Sequence, residues 1–194
     1  MYRVLLTLAW LLAVGYSQVP TFWFLAHPFA ERWRSRPRSP YRVLVPVWLA
    51  EMLGVAALTW RWREVALYSA PYAWIPAVLL IATGLGLYHG AHQGFTHAQI
   101  VGRSEVETGQ AQRLVTGGLR ARVRHPLYLA HLCELLGWAL GSGLVVIYIL
   151  LAYALIGFAI TIPLEDAELE RRFGDAYRQY RRTVPAIIPH AGTR

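Results

Sequence analysis

Apolar residues fall along this chain in long runs rather than in short alternations, and the runs are long enough to fix its class. A helix needs roughly 20 apolar residues to cross about 30 Å of hydrocarbon. The first run extends from Val4 to about Leu25, inside a charge-free stretch that reaches Ala30. The second covers Val43 to Trp60, with Glu51 as its one charge, and the third about Ala73 to His92. After a polar connection, Leu127 to Leu140 and Leu144 to Leu164 form two more, parted only by Gly141-Ser142-Gly143. A turn that short leaves no room for a loop, so these two predict a tight helical hairpin whose first arm is short for a full crossing. The expected fold is an all-α integral membrane protein, one domain over 1–194. It has about five transmembrane helices (spans 4–25, 43–60, 73–92, 127–140 and 144–164) and a C-terminal amphipathic helix.

Composition agrees with the pattern. The chain is 56% hydrophobic and only 15% charged, against roughly 25% charged in an average soluble domain. Net charge is +8 without a single lysine. The arginines gather beside the apolar runs, as on the cytoplasmic flanks of membrane spans, where anionic headgroups attract them. That placement argues against a nucleic-acid partner and for membrane lipids. Arg32, Arg34, Arg36, Arg38 and Arg42 lie between the first two runs, and only Arg61 and Arg63 between the second and third. Arg103, Arg113, Arg120, Arg122 and Arg124 precede the fourth, and Arg171, Arg172, Arg178, Arg181, Arg182 and Arg194 follow the fifth. Five crossings with the N-terminus outside and the C-terminus cytoplasmic put all three rich segments in the cytoplasm. A basic start before an apolar core also describes a signal peptide, but the run continues through Phe22-Trp23-Phe24, past any cleavage near Ser17, and an uncleaved first span is expected. The lone Cys133 excludes a disulfide framework and a thiolate metal cluster.

Two cytoplasmic segments, 93–126 and 165–194, carry the candidate chemistry. The first is too long for a mere linker between adjacent helices. Its end, RLVTGGLRARVRHPLY (Arg113 to Tyr128), places Pro126 in the first turn of a helix, with His125 at the start and Tyr128 about one turn on. Free N–H groups there favour an anionic ligand group such as a carboxylate. In the second, Glu165, Asp166, Glu168 and Glu170 crowd the exit of the last run. Leu169, Phe173 and Tyr177 then recur every four residues, the stripe of an amphipathic helix that lies along the membrane or folds back on the connection, stopped by Pro185 and Pro189. The tight hairpin brings Tyr128 and Glu165 out on one side. A zwitterionic or cationic ligand with vicinal hydroxyls fits between them.

LVTGGL, RHPLYL, then E-D-x-x-L-x-x-x-F-G-x-x-Y-x-x-Y and VPxxIP resemble the isoprenylcysteine carboxyl methyltransferase and phospholipid methyltransferase superfamily, over about Arg113 to Pro189. The resemblance implies an S-adenosylmethionine-dependent methyltransferase with a lipophilic acceptor from the bilayer, an isoprenylcysteine-type carboxylate or a phospholipid amine. It implies a cofactor held by His125 and Tyr128 with Arg124 on one side, and by Glu165 and Asp166 on the other. The family's acidic pair is usually Glu-Glu, and a tyrosine commonly stands where this chain has Arg120. Gly84-Leu85-Gly86 matches a Gly-x-Gly that contributes to cofactor binding in the phospholipid enzymes. Gly86, Gly90 and Gly94 also form a small-xxx-small packing pattern.

No catalytic base stands out; a carboxylate acceptor needs none. Polar groups within apolar runs cost roughly 2.5–3.5 kcal/mol on insertion scales, which makes Glu51, His131 and Glu134 substrate-site candidates alongside His89 and His92. A structural pairing is the competing reading, and no third ligand supports a metal at His89 and His92. The rival functions are an NADPH-dependent membrane sterol or isoprenoid reductase, and a non-enzymatic scaffold or transporter subunit. The chain shows no internal repeat of the kind transporters carry.

Overall fold

A computed structural model describes residues 2–36, 38–100, 102–107 and 113–189. Arg194, and the parts of the connection at 101 and 108–112, lie outside the described residues. Among those described there is no strand, only an isolated antiparallel bridge between Ala66 and Leu144. The helices are α1 (Tyr2–Ser17), α2 (Val19–Ala26), α3 (Ala30–Arg34), α4 (Tyr41–Thr59), α5 (Trp74–Ala91), α6 (His97–Ile100), α7 (Arg103–Val106), α8 (Pro126–Ser142), α9 (Val145–Phe173) and α10 (Asp175–Thr183).

Four helical runs are long and apolar enough to cross a membrane: Tyr2–Arg34, Tyr41–Trp62, Pro71–Ala91 and Val145–Phe173. The first comprises α1 to α3, broken near Pro20 and again at His27-Pro28, where a ring replaces the backbone donor. Its 33 residues make roughly 50 Å of helix at 1.5 Å per residue. That is longer than the expected span ending near Leu25, and the surplus carries His27 and Arg34 to the end of the bundle where the polar segments gather. The expected fourth span, α8, has 17 residues, or roughly 25 Å, and by length alone it falls short of the hydrocarbon layer.

α8 is instead the centre of the packing. Trp10, Ala13 and Val14 of α1 meet Tyr128, Leu135 and Ala139 of α8 and Ile147, Leu150, Ala154 and Phe158 of α9 in one buried cluster. Against α5 the approach is closer still, because small residues let the backbones nearly touch. A Cβ on Gly84 would lie 2.5 Å from Glu134 Cγ, one on Gly137 2.9 Å from the Ala77 carbonyl, and one on Gly141 2.5 Å from the Trp74 ring. Gly86 faces open space. The Gly-x-Gly of α5 therefore has one packing glycine and one exposed glycine. The hairpin turn closes as expected: Gly143 takes a left-handed conformation (φ 67°) and donates its N–H to the Ala139 carbonyl at 2.9 Å.

The C-terminal helix departs from expectation in its boundaries. α9 continues past Leu164 to Phe173, so Glu165 and Asp166 sit within it rather than after it. Gly174 (φ 59°) then breaks the chain's direction before α10. Leu169, Phe173 and Tyr177 thus belong to two helices, not one stripe, yet they still converge with Tyr180, Val184 and Leu114 of the connection. The segment folds back on the connection.

Candidate functional site

The site begins with a backbone strap. The N–H groups of Arg124 and His125 donate to the carbonyls of Pro185 and Ala186, each at 2.9 Å, which pins the C-terminal segment beside the start of α8. The Tyr180 hydroxyl donates to the Arg120 carbonyl at 2.6 Å and locks α10 to the connection. The free N–H groups expected at the helix start are largely spent here: His125 N–H is taken by the strap, and those of Tyr128 and Leu129 return to the His125 carbonyl.

Two adjacent acids on α9 meet opposite fates. Asp166, 2% exposed, is enclosed by protein donors. It binds Arg124 through two nitrogens (2.6 and 3.3 Å) and His125 Nε2 at 3.1 Å, with the Tyr177 hydroxyl donating to Oδ1 and Arg181 Nε at 3.6 Å. It does not line the cleft. Glu165 does. It accepts from the Tyr128 hydroxyl at 2.5 Å and faces His125 Nδ1 and His27 Nε2, each at 3.4 Å. Burial opposes a charge on His125, but Glu165 and Asp166 outweigh it and push the imidazole up to about 9.

The opposite wall was missing from the sequence reading. His27, at the end of the first span, is 2% exposed, stacks on Trp23 at 5.0 Å and faces Glu105 Oε2 at 3.4 Å through Nδ1. Glu105 arrives on α7, seated against the first span because Gly102 lets Trp23 and Tyr41 approach; a Cβ there would lie 2.5 Å from the Trp23 ring. Arg34 ties the two together through the Glu105 carbonyl (2.7 Å) and Glu168 (3.3 Å), and Arg172 completes the set on Glu168 at 2.9 Å. Burial and the neighbouring Glu165 raise the Glu105 carboxyl above the usual carboxylate range. Both ring nitrogens of His27, Glu105 Oε2 and Arg172 Nε are buried with no hydrogen-bond partner among the described residues. Native proteins rarely leave such atoms orphaned without a water, ion or ligand to meet them.

Between these walls lies a cleft with a cavity volume of about 140 Å³. Its lining joins Glu165, Tyr128 and His125 to His27 and Glu105, with Arg113, Arg120 and Arg124 from the connection. Trp23, Val19, Leu127 and His131 continue it toward the apolar part of the bundle.

The other expected residues divide. His131 lines the cleft, its Nδ1–H on the Leu127 carbonyl at 2.6 Å and its ring 5.3 Å from Tyr16. Glu134 lies outside the lining, buried beside Gly84 and hydrogen-bonded by Tyr16. Glu51 does not line the cleft and accepts from the Tyr153 hydroxyl at 3.0 Å, which in turn meets Thr21 at 2.7 Å. Gly84 and Gly86 do not line the cleft either. The sequence signal that could have found His27 is its position: an imidazole followed by proline at the end of an apolar run, just before a cluster of arginines.

Fold and site together define an all-α, multi-pass membrane protein whose bundle ends in a densely charged cleft. Part of the chain is similar to the protein-S-isoprenylcysteine O-methyltransferase of Schizosaccharomyces pombe, at 42% identity over 77 residues. The similarity covers 39% of this chain and 33% of that relative's length. No protein-family model matches the chain, and no solved structure does.

Proposed function

We propose that the protein is an S-adenosylmethionine-dependent membrane methyltransferase acting on a lipophilic carboxylate acceptor, with the cleft opening to the cytoplasm. One observation carries the reading: the hydroxyl of Tyr128, from the RHPLY helix start, meets Glu165, from within α9, at 2.5 Å inside the cleft. The 42% identity to a protein named as an O-methyltransferase supports the reaction class. The arginine asymmetry along the sequence supports the orientation, with the N-terminus outside and the C-terminus cytoplasmic.

The donor, when bound, supplies a methyl group already activated on a sulfonium. The chain's part is to bind, orient and exclude water. Glu165 is the acid free to accept hydrogen bonds from ligand hydroxyls or an amine, and His27, Glu105 and Arg172 offer further polar atoms that a ligand rich in heteroatoms fits. Asp166 has no capacity left for a ligand; its work is to hold Arg124, His125 and Tyr177 in place. A carboxylate acceptor reaches the site already ionised, so no base is required. Trp23, Val19, Leu127 and His131 give it an apolar approach from the bilayer.

The test is thermal unfolding of the detergent-purified protein with S-adenosylhomocysteine, with NADPH alongside. A ligand at 100 times its dissociation constant stabilises by about 2.7 kcal/mol, and Glu165→Ala should reduce that gain. Stabilisation by NADPH alone would assign the cleft to a reductase, and a response to neither would remove the enzyme reading.

A further inference from the structure

The half-buried and buried cations of the cleft are matched by acids, with one exception. Arg124 has Asp166 at 2.6 Å, His125 has Asp166 at 3.1 Å and Arg172 has Glu168 at 2.9 Å. Arg120 forms no ion pair among the described residues. One of its five N–H groups donates to the Ala91 carbonyl through Nη1, and its guanidinium lies over the Phe95 ring at 3.8 Å. Withdrawing a cation from water is costly, and burial pushes the Arg120 guanidinium below the usual arginine range, an effect that the nearby Glu165 and Glu105 offset only in part.

The side chain is nonetheless held firmly. Its own carbonyl accepts from Tyr180 at 2.6 Å. Its neighbour Leu119 fills a notch at Gly90, where a Cβ would lie 2.8 Å from Leu119 Cδ1. Phe95 lies beneath it and Ala91 meets one nitrogen; among the described residues no other partner takes the remaining donors of the fork, and the side chain lines the cleft. A planar guanidinium so placed matches a carboxylate with two parallel hydrogen bonds. The cleft also holds Glu105 and Glu165, so a ligand with a carboxylate at Arg120 could direct a cationic group toward those acids.

We propose that Arg120 is a specificity-determining anchor for a ligand carboxylate in this cleft. The inference rests on the methyltransferase reading for the identity of that ligand. The carboxylate comes either from the amino-acid end of the donor or from the acceptor, and the experiment separates the two. Calorimetry would compare S-adenosylhomocysteine with 5′-methylthioadenosine, which lacks the amino-acid carboxylate, on wild type, Arg120→Gln and Arg120→Lys. Methyl transfer to a prenylcysteine carboxylate would be followed in parallel. A charge-assisted pair implies about tenfold or more in affinity. The donor source predicts that loss for S-adenosylhomocysteine in Arg120→Gln, an unchanged 5′-methylthioadenosine affinity and partial recovery in Arg120→Lys. The acceptor source predicts unchanged S-adenosylhomocysteine binding and a KM for the acceptor raised by about the same factor. Either result supports the anchor. Unchanged affinity and unchanged KM overturn it while leaving the methyltransferase reading intact, and a wild type that binds no S-adenosylhomocysteine removes both. Should Arg120→Gln not fold, wild type decides: a decarboxylated donor analogue and a carboxamide acceptor that bind as tightly as their parents would overturn the proposal.

Discussion

Helices α4 and α8 are both apolar and close to each other in length, but they are held by different means. α8 buries nine of its residues, from Pro126 to Ser142, and meets α5 through glycines where an added Cβ would press on the facing helix. α4 buries Leu44 alone. It is tied to the bundle by a few polar contacts, Tyr153 on Glu51 at 3.0 Å and Trp10 Nε1 on Thr59 at 3.0 Å. Hydrophobicity places a helix in the membrane without deciding its neighbours. Backbone proximity decides those toward the far end of α8, at Gly137 and Gly141, and buried polar pairs decide them at its start, where His125 and Tyr128 meet the cleft.

The largest break in this contrast should come from Asp166→Ala, which leaves Arg124 without its acid and His125 with Glu165 alone. A loss of about 3–5 kcal/mol is expected, read from denaturant unfolding in detergent, whereas Glu51→Gln on α4 should cost under about 1 kcal/mol. A smaller effect is expected from Gly141→Leu, whose side chain must enter the space of Trp74. Overpacking of that kind costs about 1–3 kcal/mol, while Gly54→Leu on α4, with nothing near its Cβ, should leave the melting temperature within a degree or so of wild type.

A further effect is pH-dependent. His125 has a folded value of about 9, raised from 6.5. Its stabilisation is therefore fully present below about 6.5 and lost as pH rises through about 9. The melting temperature should fall across that window, and His125→Asn should flatten the decline. Glu105 also loses stability as pH rises, being an acid with a raised folded value, but it does so in both proteins, so their difference isolates His125. Equal slopes would mean that the imidazole is not charged in the fold.

The membrane class, the runs and the hairpin were legible because each depends on local composition: apolar length for the spans, and Gly141-Ser142-Gly143 for the turn. The Tyr128–Glu165 meeting followed from the hairpin's tightness. Other features depended on distance in space. Asp166 and Glu165 are neighbours in sequence, and only the positions of Arg124, Tyr177 and Arg181 show that one is enclosed and the other faces the cleft. His27 required knowing that the first helical run overshoots Leu25. Gly84 and Gly86 match a functional pattern, but the partner helix decides what each one touches. The stripe of Leu169, Phe173 and Tyr177 had the right period, and only the left-handed turn at Gly174 shows that two helices share it.

The overshoot of the first helical run bears on the order of assembly. Arg34 and Glu168, which meet at 3.3 Å, are 134 residues apart, and Arg124 and the Val184 carbonyl it binds are 60 apart. Contacts between distant parts of a chain form late, because the loop between them must first close. The first run has to wait for nearly the whole chain before its His27 finds Glu165, and the strap at Pro185 and Ala186 joins only when the last helices are made. The cleft should thus be the final part of the protein to mature, and refolding experiments should recover helical signal well before they recover ligand binding.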